Sequence, residues 1–497
     1  MSIAQELVGI ICGLILPRLI LRHFGSAYNG IISSITQFLS CAALLRAGLG
    51  GVTRTALYKP LAEKNWNEVS QVVFAARKFM KKVSYIFFIF LIAFAFVYPF
   101  IVLNQFEWLF SFGFVLILGI STISECYFGI AYQFLLQADQ KRYVISIVRI
   151  CTLILNTVFA AVLIRLDCSI YEVKLGSAIV FSIQPIFIYW YVEHYYQLKK
   201  PEKVTSAAIA QRWDAFAHQV SAFVTTNTDV IVLTVFSDIK TVSVYSVYNM
   251  VVSPIKNLIV SAANGIEAAF GDILARNETQ ILKKRFEQFE FYSVITSAFL
   301  FSCTATLISP FLNVYTKGVN DADYWQPLLG VLMCIAQFFS CVRLPYQTII
   351  ETAGRFRETR NGAIAEAFIN IVLSISLVRL IGLPGVIIGT IVSMVFRTTQ
   401  YVLYVSKYII PGVWRTYLRG LLFGLLSSTA ITSLSRIAFG DGIVSGFVPW
   451  IAHGFCVIGI AAVVFIVLAF TIYPKQISGM YKFLVATNHR RKGKVNF

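Results

Sequence analysis

Apolar residues run along this chain in long unbroken segments, separated by short stretches of charged and turn-forming residues. Each segment is about 20 residues long, the length that a helix needs to cross roughly 30 Å of hydrocarbon. The pattern predicts fourteen membrane-spanning helices, at residues 3–22, 28–50, 83–103, 108–134, 143–165, 172–195, 214–236, 243–270, 291–315, 325–350, 361–380, 384–406, 416–437 and 447–473. The two longest polar stretches, 51–82 and 271–290, predict amphipathic helices rather than a soluble domain.

The composition of the chain excludes most other classes of protein. Of its 497 residues 57% are hydrophobic and 13% are charged, and its mean hydropathy is +0.73. A soluble domain carries about 25% charged residues. A soluble enzyme, a disordered protein and, despite the net charge of +18, a nucleic-acid-binding domain are therefore excluded. The predicted fold class is an all-α polytopic membrane protein.

The sequence contains no motif for catalysis, metal binding or nucleotide binding. Its nine cysteines form no C-x-x-C pair, its five histidines form no H-E-x-x-H motif, and it has no P-loop. We therefore expect no catalytic residue, no metal centre and no cofactor, and we expect that the protein is not an enzyme.

Lysine and arginine are distributed unevenly between alternate loops. With the N-terminus inside, 29 of them fall in inner segments and seven, among them Lys174, fall on the outer side. The positive-inside rule then places both termini in the cytoplasm, in agreement with an even number of spans. Most of the net charge accordingly faces anionic lipid of the inner leaflet. The first segment lacks a basic n-region and a clear cleavage site, so we expect it to remain as an anchor.

Two parts of the chain are weakly similar to each other. Residues 137–166 align without a gap on 351–380, which places Asn156 on Asn370. Because each half would hold an even number of spans, the repeat is parallel, and transporters built this way bind substrate between their halves. Three domains are predicted. Residues 1–205 form an N-terminal six-helix lobe, residues 206–410 form a C-terminal six-helix lobe, and residues 411–497 form two appended helices and a basic cytoplasmic tail.

Charged residues remain inside the predicted spans. Six of them are basic, Arg18, Arg46, Arg149, Lys256, Arg343 and Arg397, and the acidic ones include Glu125, Asp229, Glu267 and Glu366. A charge in hydrocarbon costs at least about 2.5–3.5 kcal/mol, so we expect these side chains to face water or the interior of the bundle. For Arg18, Arg46 and Arg149 the alternative is snorkelling to a headgroup, because they lie near span ends.

Polar residues on seven spans share a helical face with these charges at about 100° per residue. Two of these stripes are Asn249, Lys256, Asn264 and Glu267 on span eight, and Asp214, His218 and Asp229 on span seven. A single stripe is explained by interhelical hydrogen bonds, whereas seven together predict a wet cavity that suits an anion. The predicted cavity residues are Arg149, Asn249, Lys256, Arg343 and Arg397.

The acids in the spans are candidates for carrying a coupling ion, either a proton or sodium. They are Asp229, Glu366, Glu125 and Glu267. Burial favours the protonated form of a carboxyl group and a nearby cation disfavours it, so alternating access can switch ion binding on and off. The alternative is a fixed ion pair with a basic neighbour such as Lys256 or Arg397.

Several sequence segments resemble bacterial polysaccharide transporters. They are FGSAYNG at 24–30, RAGLGG at 46–51, LYKPLAEKN at 57–65 and NTDVIVLTVFSDIKTVSVYSVYN at 227–249. This family comprises the O-antigen-type lipid-linked oligosaccharide flippases of the multidrug/oligosaccharidyl-lipid/polysaccharide exporter (MOP) superfamily. The resemblance implies two six-helix lobes around a central cavity that opens alternately to either side. It also implies an undecaprenyl-diphosphate-linked oligosaccharide as substrate, moved from the inner to the outer leaflet of the bacterial inner membrane for lipopolysaccharide biosynthesis.

The resemblance further implies a polysaccharide polymerase and chain-length machinery as partners. Three alternatives to this function stay open from the residues alone. One is a flippase for a lipid-linked peptidoglycan precursor, which a cationic cavity would also suit. Another is an ion-coupled multidrug exporter, whose cationic drugs the basic residues disfavour. The third is a membrane enzyme acting on lipid-linked sugars, which the short outer loops disfavour.

Overall fold

The computed structural model describes residues 2–474 with several short gaps: 43, 45–48, 104, 197, 199–212, 264–265, 277, 441–443 and 445. For residues 2–3, 213–219, 268 and 275 it describes the backbone alone. Within the described residues the regular secondary structure is helical throughout.

Eighteen α-helices make up the described part of the chain, with one π-helical turn at Glu125–Gly129. They are α1 (Ser2–Phe24), α2 (Ser26–Leu39), α3 (Leu49–Ala62), α4 (Trp66–Val102), α5 (Trp108–Ser124), α6 (Ile130–Ala138), α7 (Arg142–Arg165), α8 (Ile170–Tyr195), α9 (Trp213–Phe236), α10 (Ile239–Ala263), α11 (Glu267–Ala275), α12 (Thr279–Tyr315), α13 (Pro327–Val342), α14 (Leu344–Thr352), α15 (Phe356–Ile381), α16 (Leu383–Tyr408), α17 (Trp414–Phe439) and α18 (Phe447–Ile472).

These helices confirm the prediction of an all-α polytopic membrane protein. In the described residues, eleven helical segments are long and apolar enough to cross a membrane, and a shorter apolar helix covers Val220–Phe236. Each of the fourteen predicted spans corresponds to one helix or to two consecutive helices. The helix ends fall close to the predicted ends where charged residues bound the apolar run, as Arg142 and Arg165 do for α7.

The polar stretches between spans belong to helices, as predicted. Helices α4 and α12 are each 37 residues long and begin well before the apolar segments that they contain. Asn65 caps the start of α4, where its side chain accepts a hydrogen bond from the backbone N–H of Glu68 at 3.3 Å. The amphipathic beginnings of both helices therefore extend spans that the sequence places at 83–103 and 291–315.

Within the described residues, some predicted spans contain two helices, and hydropathy alone does not reveal where these spans are divided. The clearest division falls at Arg343, between α13 and α14, where Pro345 lies in the first turn of α14. Proline has no N–H to donate and clashes with the preceding turn, which favours a break in the helix at this point. A different interruption is the π-helical turn that begins at Glu125 between α5 and α6. Such turns occur frequently at functional sites.

The chain forms two compact units. The first consists of Met1–Met250, Gly318–Asp323 and Phe356–Thr390, and the second consists of Val251–Lys317, Tyr324–Arg355 and Ile391–Phe497. The boundary falls within α10 and within α16. The division of the chain into lobes 1–205 and 206–410 with appended helices 411–497 stays a prediction.

In the first unit, α7 packs against α1 and α8, α5 packs against α4 and α8, and α9 packs against α15 and α2. One close approach in this unit involves Gly30 of α2. A Cβ atom at Gly30 would lie 1.9 Å from the carbonyl oxygen of Ile239, at the start of α10. Only glycine permits α2 to pack so closely against this backbone.

In the second unit, α12 packs against α13, α17 and α18. Aromatic rings pack between α12, α17 and α18. The ring centroids of Phe291 and Tyr473 are 5.0 Å apart, and those of Phe423 and Phe465 are 5.1 Å apart. The two C-terminal helices are therefore built into the hydrophobic core of this unit.

Helix lengths and positions repeat along the chain. The two 37-residue helices, α4 and α12, begin 213 residues apart, at residues 66 and 279. Helices α7 and α15 begin 214 residues apart, at residues 142 and 356, which is the shift of the sequence alignment. The aligned residues Asn156 and Asn370 are both buried.

We expect a membrane-impermeant maleimide added to intact cells to label Lys317→Cys but not Lys82→Cys. Lys317 is exposed just after the end of α12, and Lys82 is exposed on α4 near the amphipathic part of that helix. Asp441→Cys and Lys200→Cys, at positions outside the described residues, provide the same comparison. The unsubstituted protein gives the background from its nine cysteines. Labelling of Lys82→Cys or Lys200→Cys in intact cells would contradict the predicted orientation.

Candidate functional site

Three of the predicted cavity residues belong to the second unit: Lys256, Arg343 and Arg397. Lys256 and Arg343 lie close enough for their positive charges to repel each other, and both lie near the thiol of Cys341. Arg343 and Arg397 both interact electrostatically with the carboxylate of Glu351. We call the three cations the basic cluster.

Prolines lie two residues away from two of these cations. Arg343 is the single residue between α13 and α14. Lys256 lies on α10 two residues after Pro254, which removes one donor from the helical hydrogen-bond ladder. Both side chains are half-buried. The local sequence therefore places Arg343 at the junction of two helices and Lys256 close after a proline within a helix.

Arg397 on α16 is held differently, because it is only 1% exposed. Its guanidinium donates to Gln400 Oε1 at 2.6 Å and to the hydroxyl of Tyr401 at 2.8 Å. The guanidinium carbon also lies 4.1 Å from the ring centroid of Tyr401, within cation–π distance. These contacts fix the guanidinium in one orientation.

Two acids accompany the basic cluster. The carboxylate of Glu351 on α14 accepts a hydrogen bond from Gln347 Nε2 at 2.7 Å and interacts electrostatically with Glu267. Glu267, at the start of α11, is exposed, whereas Glu351 is half-buried. Three cations against two acids leave this part of the second unit with an excess of positive charge.

Three of the predicted acids belong to the first unit, and two of them lie where α9, α15 and α16 meet. Asp229 on α9 is 4% exposed. Its Oδ1 accepts a hydrogen bond from Thr390 Oγ1 at 2.6 Å, and its Oδ2 accepts one from the hydroxyl of Tyr245 at 3.0 Å. In the described part of the chain no basic residue forms an ion pair with Asp229.

Glu366 lies on α15, along the same interface between α9 and α15, and is 4% exposed. Ser221 Oγ lies 3.4 Å from Glu366 Oε2 and donates to the carbonyl oxygen of Ala363 at 2.7 Å. One turn further along α15, Asn370 Nδ2 donates to Thr390 Oγ1 at 2.9 Å. We call Asp229, Glu366 and these hydrogen-bonding partners the carboxylate seam.

The remaining predicted site residues are not brought into either group. Arg149 is exposed on α7, and Asn249 is half-buried on α10 in the first unit. Glu125 lines a cavity among the helices of the first unit. Arg46 and Asn264, and the side chains of Asp214 and His218, lie outside the described residues.

Two buried charged residues were not among the predicted site residues. Lys174, which the sequence places on the outer side, is 8% exposed on α8 and lines the same cavity as Glu125. Glu290 on α12 is buried and accepts a hydrogen bond from the hydroxyl of Tyr346. Their spacing was a signal for both, since each lies on a helical face with buried neighbours three and four residues away.

The sequence matches no protein-family profile and no curated protein. Solved structures match most of the chain. The lipid II flippase MurJ, in an inward closed conformation, superposes with a TM-score of 0.70 at 14% identity, over 96% of this chain and 99% of that one. The MATE multidrug transporter DinF-BH superposes with a TM-score of 0.56 at 16% identity, over 81% of this chain and 93% of that one. An inward-facing multidrug resistance MATE family transporter of the MOP superfamily superposes with a TM-score of 0.55 at 13% identity, over 81% of this chain and 95% of that one.

The chain has the fold of MOP-superfamily transporters. The structural neighbours are a flippase and multidrug transporters rather than enzymes. At this level of identity the likeness concerns the fold alone, so the substrate has to be argued from the residues of this chain.

Proposed function

We propose that the protein is a flippase that moves an undecaprenyl-diphosphate-linked oligosaccharide from the inner to the outer leaflet of the bacterial inner membrane. The observation that carries the proposal is the basic cluster, which lies within a transporter fold. Transport would proceed by alternating access of the predicted lobes, 1–205 and 206–410. Both termini would be cytoplasmic, as the basic residues of the sequence predict.

The chemistry of a lipid-linked glycan fits this cluster. Its lipid tail can stay in the bilayer, whereas its diphosphate and sugars are rejected by hydrocarbon. Lysine and arginine give charge-assisted hydrogen bonds to phosphate oxygens. Because Lys256 and Arg343 repel each other, a diphosphate bound beside them would relieve that repulsion as well as gain hydrogen bonds.

The same cluster disfavours export of cationic drugs. A cationic substrate would be repelled by Lys256, Arg343 and Arg397 and attracted only by Glu351 and Glu267. The predicted binding region therefore has the sign of charge that selects an anionic substrate.

A lipid-linked peptidoglycan precursor is the second candidate substrate, and the extent of one structural match favours it. The match to the lipid II flippase MurJ covers 96% of this chain and so leaves only about 20 residues unmatched. Helices α17 and α18 have 26 residues each, so neither can lie wholly outside the match. The MATE transporters match 81% of the chain.

Substrate competition in proteoliposomes tests the proposal. We expect the purified protein to move a fluorescent polyprenyl-diphosphate oligosaccharide across the bilayer, and an excess of unlabelled lipid-linked oligosaccharide to slow this movement. Protein-free liposomes give the background rate. If the protein moves the lipid-linked peptidoglycan precursor and not the oligosaccharide, the precursor is its substrate and the first proposal is wrong. Movement of a cationic dye alone would overturn both.

A further inference from the structure

The first unit contains a cavity of about 340 Å³ that the proposed function does not use. Residues of helices α1, α2, α5, α7 and α8 line it. Polar side chains line it at Thr36, Ser40, Ser121, Thr122, Glu125, Asn156, Lys174 and Ser177. No residue of the basic cluster or of the carboxylate seam lines this cavity.

Three of these polar side chains have no hydrogen-bond partner in the described part of the chain. Lys174 is 8% exposed, Ser177 is 7% exposed and Asn156 is 3% exposed. The Oδ1 atom of Asn156 and the Oγ atom of Ser177 are buried without a partner. Within the described residues, no acceptor or acidic side chain contacts the ammonium group of Lys174.

Such an arrangement needs a ligand. Buried polar groups are almost always hydrogen-bonded, and a buried charge without a counter-charge is far more costly than a neutral group. Lys174 also lies at the fifth residue of α8, where the positive end of the helix dipole adds to the cost of a cation. An anion in the cavity would offset both effects.

Glu125 does not supply this counter-charge directly. It lines the same cavity, but no ion pair joins it to Lys174, and it makes another contact of its own. Glu172, two residues before Lys174, is exposed and is engaged in the capping box of Ser169 at the start of α8. The ammonium of Lys174 is therefore left for a ligand.

We propose that this cavity binds a small monovalent anion of the chloride type, with Lys174 as its counter-charge. The hydroxyl of Ser177 donates to the anion, and Asn156 donates through its NH₂ group, which an amide flip turns towards the ligand. A single cation matches a single negative charge, whereas a divalent phosphate would leave one charge uncompensated. Water fills the rest of the cavity. This site is independent of the glycan proposed as substrate.

Anomalous diffraction from crystals grown in bromide tests the location. Bromide replaces chloride and scatters anomalously, so we expect one peak in the cavity beside the ammonium of Lys174 in the full-length protein. The peak should be absent in crystals of Lys174→Met. Density of water alone in the wild-type cavity would overturn the proposal.

Thermal unfolding in detergent tests the charge requirement. At constant sodium, replacing gluconate with chloride should raise the unfolding temperature of the wild type by at least about 1 °C, because a ligand that binds only the folded state stabilises it. The rise should be lost in Lys174→Met, kept in Lys174→Arg and kept in Lys240→Met, which removes an exposed lysine. A rise that persists in Lys174→Met would contradict the site.

Glu125→Gln separates an anion site from a cation site. Removing the Glu125 carboxylate should preserve or increase the response to chloride, since it removes a negative charge from the lining. If the cavity instead binds sodium, replacing choline with sodium at constant chloride should stabilise the wild type, and Glu125→Gln should abolish that response. That second pattern, without a response to chloride, would overturn the proposal.

Discussion

Replacing Lys256 with alanine is expected to slow flipping of the lipid-linked oligosaccharide at least about tenfold without lowering the thermal stability of the protein. A lost charge-assisted hydrogen bond to a phosphate costs roughly 1.5–3 kcal/mol, and 1.4 kcal/mol corresponds to a factor of ten. Stability should be unchanged or higher because Lys256 and Arg343 repel each other in the folded protein. A residue whose removal damages transport but not stability serves the substrate rather than the fold. The measurements are the flipping rate in proteoliposomes and the unfolding temperature in detergent.

Three matched variants make this prediction specific. Arg343→Ala should behave like Lys256→Ala, because it removes the other cation of the repelling pair. Lys256→Arg keeps the charge and should retain most of the activity. Lys240→Ala removes an exposed lysine from the same helix and should leave transport unchanged. If both Lys256→Ala and Arg343→Ala flip the substrate at the normal rate, these cations have a structural role only. The main support for an anionic substrate would then be lost.

The positions of the spans could be predicted because membrane insertion imposes a simple rule on the sequence. Every backbone polar group in hydrocarbon must be satisfied within the helix, so an apolar run of sufficient length has no other solution. The apolar run in α7 is an example, because Arg142 and Arg165 mark its two ends. Divisions inside a run are harder to predict. Pro345 is visible in the sequence, but the apolar residues on both sides of it conceal the break at Arg343.

The candidate site could be predicted only in part. The cost of a charge in hydrocarbon singled out Lys256, Arg343 and Arg397 from sequence alone. Their mutual proximity depends on tertiary packing, as does the contact between Asp229 and Thr390, which are 161 residues apart in the chain. The alternation of basic residues between loops places Lys174 on the outer side. Its helical spacing indicates a buried face, but which side chains surround Lys174 depends on how α8 packs against its neighbours.

The basic cluster and the carboxylate seam are suited to different tasks. Around Arg397 and Glu351, opposite charges lie near each other, and the excess is positive. Around Asp229, only hydroxyl groups reach the carboxylate in the described part of the chain. A buried carboxylate without a cation is costly in its charged form, so it has a reason to take up a proton or a sodium ion. We therefore expect substrate binding and ion binding to be separable by mutation.

An imposed gradient of protons or sodium across proteoliposomes is expected to accelerate flipping by the wild type, and Asp229→Asn should abolish this acceleration. A tenfold gradient supplies about 1.4 kcal/mol for each ion that moves with the substrate. Asparagine is close to isosteric with aspartate and can still hydrogen-bond Tyr245 and Thr390, so the packing of α9 should survive, but it cannot carry the ion.

Glu366→Gln tests the second acid of the carboxylate seam, and it should reduce the dependence on the gradient if both acids share the ion. Lys256→Ala is the control variant for substrate binding. Its flipping rate should be low, but the remaining flipping should still respond to the gradient. The unfolding temperature of each variant checks that the fold is retained. A wild-type rate that is indifferent to both gradients would contradict ion coupling. Asp229 would then act as a hydrogen-bond acceptor that holds α9 to its neighbours through Tyr245 and Thr390.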